Sequence, residues 1–314
     1  MLPLTIEAGP AGTLQSWIGD NDQHVRDALN SHGALLFRGF GVRTAADVAL
    51  VARRVMERPL TENGEHVAVS GTGGVVQTPV FYAPESKLLW HNENTFNDQW
   101  PGRILFVCGR KADSGGDTPL VDSREVFRRL PREIREPFLG KGVMYVRNYA
   151  DGLGLSWNKV FGTESRAEAE AKCRRDGFSY EWRPDGSLTT VAVRPAAVQH
   201  PQTREWTWCN QAQHWHSACL DPVVRDYLSE AMPPDRYPRI CRYGDGSPIP
   251  DAVMQAVLAV YQELEVVFPW QQGDALLVDN LLVAHGRNPY RGERKLFVVV
   301  GDTLSAGRFE PRPD

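Results

Sequence analysis

Leu88-Leu-Trp-His-Asn-Glu93 ends a short apolar run on an imidazole and a carboxylate, His91 and Glu93. In a strand, side chains two positions apart point to the same side, so these two can grip one ion together. A His-x-Glu tripeptide arises often by chance and decides little alone. A second apolar segment, Val278-Asp-Asn-Leu-Leu-Val-Ala-His-Gly-Arg287, brings His285 in after an Asp-Asn turn, where its ring can face a barrel mouth. Two imidazoles and one carboxylate on one face of an ion leave three positions open, the arrangement of non-haem Fe(II) oxygenase centres.

Two further residues turn this set toward one ligand. Arg294 opens the last apolar run, Lys295–Gly301, where its guanidinium can fork onto a carboxylate beside the metal. Gly115-Gly-Asp-Thr-Pro119 offers the Thr118 hydroxyl. A dicarboxylate that chelates iron through its keto-acid end would have its far end held by Arg294 and Thr118. That ligand is 2-oxoglutarate. Arg287 and Arg291 compete for the arginine role, and Arg294 is preferred for its place at the strand.

Outward from these segments, short β-rich runs recur: Arg103–Gly109, Thr118–Asp122, Val143–Asn148, Ser187–Arg194 and Glu205–Asn210. Helical periodicity covers residues 14–30, 45–58 and Pro250 to about Val267, with a buried strand in Gly33–Phe40 between the first two. The expected fold is mainly β with flanking helices around a jelly-roll (double-stranded β-helix, cupin-like) core. One domain would span 1–314, with a helical flank at about 1–60, a core at about 61–305 and an inserted segment at about 140–240.

Composition narrows the function. With 42% hydrophobic and 24% charged residues the chain reads as globular. Thirty-five Lys and Arg against 39 Asp and Glu leave a net charge of -4, without the basic excess of a nucleic-acid binder. No apolar stretch reaches membrane-span length, and the N-terminus lacks a signal-peptide pattern. No membrane partner and a cytoplasmic location are therefore expected, with the five cysteines reduced.

The chain resembles the TauD/TfdA superfamily of Fe(II)/2-oxoglutarate-dependent oxygenases, and within it the SyrP-like enzymes of natural-product biosynthesis. The likeness runs from about Gly33 to Asp302, through Trp90-His-Asn-Glu93, Gly115-Gly-Asp-Thr-Pro-Leu120, Arg147-Asn-Tyr149, Asn210-Gln211, Tyr243-Gly-Asp-Gly-Ser-Pro-Ile-Pro250 and Asp279-Asn280 leading into His285-Gly-Arg287. It implies His91, Glu93 and His285 as iron ligands, Arg294 and Thr118 on 2-oxoglutarate, dioxygen as co-reactant, and hydroxylation of an unactivated C–H bond with release of succinate and carbon dioxide. The implied substrate is an amino acid or a derivative, free or tethered to a carrier protein. Desaturation, epoxidation or cyclisation by the same chemistry is the alternative, and product mass separates these outcomes. Related halogenases lack the carboxylate ligand, so Glu93 argues against halogenation.

The sequence departs from the pattern at Val298, where taurine dioxygenase-like members carry a second arginine, and at Trp208-Cys209, where this group has Trp-Phe. Arg147, Asn148, Tyr149, Asn210 and Gln211 are candidate substrate contacts, because buried amides need partners. Cys209, His214, His216 and Cys219 match no common zinc spacing, so His214 and His216 are read as pocket-lining or packed. His24, His32 and His66 read as structural, and Glu164–Asp176 as a solvated helix. A 2-oxoglutarate sensor and a zinc hydrolase on the same three ligands are the rival functions; the first forms no succinate, and the second gives no charge-transfer band with iron and cosubstrate.

Overall fold

A computed structural model of the chain describes residues 2–9, 12–61, 67–79, 82–149 and 154–309; His66 lies outside them. Its main element is a seven-stranded sheet in the order Leu4–Glu7, Ala34–Arg38, Ala275–Asp279, Arg103–Arg110, Lys295–Gly301, Gln77–Thr78, Val67–Ala68. Only the first pair is parallel.

The apolar runs of its central strands are unbroken because both faces are covered. Leu35, Phe37, Leu105, Val107, Leu277, Phe297 and Val299 point to one side, against the helices Leu14–Asp20, Asp22–His32 and Ala45–Val55. Their neighbours Leu36, Ile104, Phe106, Leu276, Val278, Leu296 and Val298 point to the other. There they meet Leu120 and Val283 from a three-stranded antiparallel sheet, Leu88–His91, Val283–Arg287 and Leu120–Asp122. The two sheets thus share one core. This period-two exchange fixes which residues enter the inter-sheet space.

Local chemistry sets the ends of the elements. Thr44 and Asp47 form a reciprocal capping box that starts Ala45–Val55, and these hydrogen bonds hold the Asp47 carboxyl below its ordinary value. The periodic segment 14–30 breaks at Asn21 into two helices. Gly33, at φ 73°, ends the second, where a Cβ would fall 2.5 Å from a methyl of Val283. The helix expected from Pro250 runs Asp251–Leu264. The expected strand Glu205–Asn210 keeps only Trp206–Thr207, because Asn210 turns to hydrogen-bond the backbone.

Residues 143–243 carry a four-stranded antiparallel sheet of their own, Ser179–Trp182, Leu188–Arg194, Val143–Tyr149 and Arg239–Tyr243. It packs through Tyr145, Cys241 and Tyr243 against the helices Ser123–Arg129, Arg132–Lys141 and Asp251–Leu264. Its other end holds a separate cluster with Trp157–Phe161 and Arg166–Arg175. Among the described residues no helix is long and apolar enough to cross a membrane.

Candidate active site

His91 and His285 are cross-strand partners in the small sheet, with ring centroids 4.5 Å apart. Antiparallel register therefore does what sequence separation hides, placing two imidazoles side by side. Glu93 joins them, its Oε2 lying 3.6 Å from His91 Nε2 and 3.7 Å from His285 Nε2. One ligand atom from each of the three lies within 4.8 Å of the others, the span of donors around a single ion. Among the described residues no other such group is formed.

The route to this geometry differs from the expected one at Glu93. The strand stops at His91, so Glu93 is placed by the following turn, in which Asn94 takes φ 57°, and not by strand alternation. His285 follows the Asp-Asn turn as expected and lies inside the strand Val283–Arg287. Gly286 beside it carries no side chain for a steric reason, since a Cβ there would sit 2.6 Å from the Leu88 carbonyl oxygen. Gly286→Ala should cost about 1–3 kcal/mol and part the two histidine strands. A denaturant melt indistinguishable from wild type would refute that close approach.

His91 presents a defined tautomer. Its Nδ1 is 2.9 Å from the Leu89 carbonyl oxygen, which only accepts, so Nδ1 carries the proton and the Nε2 lone pair faces Glu93. His214 Nε2 donates to the same carbonyl at 2.8 Å, and its ring packs edge-on to His91 at 4.6 Å. His216 instead donates to the Ile249 carbonyl, and Cys209 points at the Asn280 carbonyl, so these residues do not form a zinc cage. Phe106 covers His285 at 5.0 Å between ring centroids.

The Glu93 backbone is held by a residue that the sequence marked only as part of a turn. Asn280 is fully buried; its Oδ1 accepts the Glu93 N–H at 2.6 Å, and its Nδ2 donates to the carbonyls of Glu93 at 3.0 Å and Pro101 at 2.8 Å. Asn92 Nδ2 donates back to the Asn280 carbonyl at 2.7 Å. The preceding Asp279 accepts the N–H groups of Leu281 and Leu282 and the Nε2–H of His200, whose Nδ1 accepts from Thr203. The only sequence signal was a polar pair interrupting an apolar segment.

Arg294 lines a cavity of about 170 Å³ together with Trp270, Gly116, Cys108, Asp113 and Asp117. Arg294 spends Nε on the Gly116 carbonyl at 2.9 Å. Among the described residues no carboxylate lies within 4.0 Å of it. Burial first, then the nearby Arg287, pushes its pKa down to about 10, so it stays charged at neutral pH. Thr118 is buried, and its Oγ1 accepts the Trp270 indole N–H at 3.1 Å. The rival arginines are placed otherwise. Arg287 donates to the carbonyls of Tyr82, Ala83 and Ser86, holding that loop, and Arg291 is exposed.

The five residues read as substrate contacts divide. Arg147 and Tyr149 line a second cavity of about 760 Å³, which also reaches Asn94 and Phe96 just beyond Glu93. Asn148 alternates to the opposite face and bonds Asp235, Tyr237 and Thr189. Asn210 bonds Ala196 and Ala212, and Gln211 bonds Asn92 and Tyr145. Asn148 and Asn210 use both ends of their side-chain amides inside the protein, and Gln211 donates its Nε2 to the Asn92 carbonyl and its backbone N–H to Tyr145, bonds that serve the structure. Val298, at the position of the missing second arginine, is buried opposite Phe106 in the large sheet.

Comparison with known proteins agrees with this arrangement. The family described as Taurine catabolism dioxygenase TauD, TfdA family matches residues 2–300. The dapdiamide synthesis protein DdaC of Enterobacter agglomerans is 36% identical over 280 residues, covering 89% of this chain and 85% of DdaC. A clavaminate synthase-like protein of Arabidopsis thaliana is 28% identical over 294 residues, covering 88% and 84%. The same fold occurs in AAD-2, solved in complex with Mn(II) and N-oxalylglycine, at TM-score 0.55 and 14% identity over 98% of this chain and 96% of that one. It occurs again in PvcB of Pseudomonas aeruginosa, at TM-score 0.54 and 15% identity over 96% and 87%. The chain is a member of the TauD/TfdA family of Fe(II)- and 2-oxoglutarate-dependent oxygenases.

Proposed function

We propose that the protein oxidises an unactivated C–H bond of an amino-acid-derived substrate in natural-product biosynthesis, and that its centre lies in a jelly-roll core between the two sheets. The observation that carries this reading is the convergence of His91, Glu93 and His285, and beside it stand the buried, charged Arg294 lining a cavity and Thr118 hydrogen-bonded to Trp270 in that cavity's wall. The relation to a dapdiamide synthesis protein supports the pathway class.

The donor set fits Fe(II): two neutral imidazoles and one carboxylate, clustered on one side of an ion. Fe(II) with 2-oxoglutarate and dioxygen supplies the oxidising power, releasing succinate and carbon dioxide. The protein's own residues do the rest. His91 and His285 offer lone pairs, with the His91 tautomer set by Leu89; Glu93 adds charge, and Asn280 holds it in place. Arg294 and Thr118 orient the far carboxylate of the cosubstrate, and Phe106, Leu296 and Val298 keep the inter-sheet space dry.

A succinate assay with Fe(II), 2-oxoglutarate and a panel of amino acids, each free and loaded on a carrier protein, tests the reading. Succinate matched to a product heavier by one oxygen is the expected result; succinate matched to a product lighter by two hydrogens would replace hydroxylation with desaturation. No succinate with any substrate would overturn the oxygenase. In the same assay Arg294→Ala should raise the 2-oxoglutarate requirement by about 100-fold, the loss of a charged, forked contact. An unchanged requirement would move the role to another group.

A further inference from the structure

The larger cavity has a chemical polarity that the cosubstrate site does not explain. Where it reaches Asn94, the residue after Glu93 in sequence, one wall is aromatic, with Phe96, Tyr145 and Trp215 packed on one another at 5.2–6.4 Å between rings. Its other wall belongs to the inserted helices Trp157–Phe161 and Arg166–Arg175, which contribute Lys159, Lys172 and Arg175. Two carboxylates also line it, and both are engaged. Asp176 is forked by Arg175 at 2.7 and 3.0 Å, and Asp98 accepts from Gln99 at 2.6 Å. Lys172 donates to the Phe161 carbonyl, and among the described residues neither Lys172 nor Lys159 has a carboxylate within 4.0 Å. Arg147, Lys159, Lys172 and Arg175 outnumber these two carboxylates, and a concave site with a net positive lining focuses its field on an incoming anion. At about 760 Å³, against about 170 Å³ beside Arg294, the space suits a ligand of drug size.

We propose that this cavity takes an elongated substrate with an apolar body against Phe96, Tyr145 and Trp215 and an anionic group, carboxylate or phosphate, held by Lys159 and Lys172. The inference rests on the oxygenase reading for the identity of the reacting end, and it deepens that reading by naming the substrate's charge and size. Such a ligand would lie along the cavity, with its reacting end beside Glu93 and its charge at the insert.

The test is binding, read by calorimetry on the Fe(II)- and 2-oxoglutarate-loaded protein without oxygen. Two matched pairs serve as probes: an N-acyl aromatic amino acid with its carboxamide, and an acyl-pantetheine 4′-phosphate thioester with the same thioester lacking phosphate. The anionic member of at least one pair should bind about tenfold more tightly than its neutral partner, with the gap closing at high salt. A gap confined to the first pair identifies a free carboxylate as the anchor, and one confined to the second identifies a phosphate-bearing carrier arm. Lys159→Met with Lys172→Met should close the gap, and Lys159→Arg with Lys172→Arg should restore it, which separates charge from any loosening at Phe161. No gap in either pair, or a gap that survives the methionine variant, overturns the proposal. Because loading is followed by the charge-transfer band of the cosubstrate complex, a failed oxygenase reading would appear as a missing band before any probe is added.

Discussion

Glu93→Ala should eliminate succinate formation, with a fall of at least about 1000-fold, and should abolish tight Fe(II) binding. Outer residues that merely orient a ligand typically cost about 10–100-fold when removed, so losing one of three ligands must exceed that range. Glu93 is the only carboxylate in the cluster, which leaves His91 and His285 as two neutral donors on a dication. His91→Ala and His285→Ala should behave alike, because each also leaves two donors. Anaerobic titration of Fe(II) and 2-oxoglutarate checks this apart from turnover: wild type should develop a charge-transfer band and the variants should not. A Glu93→Ala protein that kept wild-type turnover would refute the three-residue centre.

The centre was legible because its chemistry is carried by residue types that an apolar strand does not otherwise hold. His91, His285 and Arg294 each interrupt or open a hydrophobic run, and the structure makes the two histidines cross-strand partners while Arg294 stands just before the strand Lys295–Gly301. What stayed hidden was set by tertiary contact. Strand alternation pointed to Glu93 for a reason the fold does not use, since the strand ends at His91. Asn148 shares a strand with Arg147 and Tyr149, yet period two sends it away from the cavity they line. Lys172 sat in a segment read as a solvated helix, and nothing in the spacing of residues 164–176 shows that one side faces a cavity. The parallel strand Leu4–Glu7 joins the sheet by pairing with residues 35–38, a long-range contact that local periodicity does not encode.

Asn280→Ala should connect the fold to the centre in a measurable way. The substitution leaves the Glu93 N–H and the carbonyls of Glu93 and Pro101 without their partner in a water-poor site. Each lost partner costs about 1–3 kcal/mol, so the melting temperature should fall by about 5 °C or more. The specific claim lies in the iron. Freed from the amide that brackets its backbone, the Glu93 turn can drift, and Fe(II) affinity should drop by about 10–100-fold. Saturating Fe(II) should then restore much of the turnover, since all three ligands remain. Asn280→Asp sharpens the point: it keeps the acceptor for the Glu93 N–H but sets a carboxylate against two carbonyl oxygens, so it should be at least as damaging despite its matched size. Val278→Ala, one strand position removed from the turn and buried in the same core, serves as the control. It should lower stability while leaving iron affinity near wild type. If Asn280→Ala and Val278→Ala shift stability and iron binding in the same proportion, Asn280 is core packing alone. A loss of iron affinity out of proportion to stability would mean that the carboxylate ligand is aimed from the turn before the second histidine strand, so that the same dipeptide sets the register of His285 and the position of Glu93.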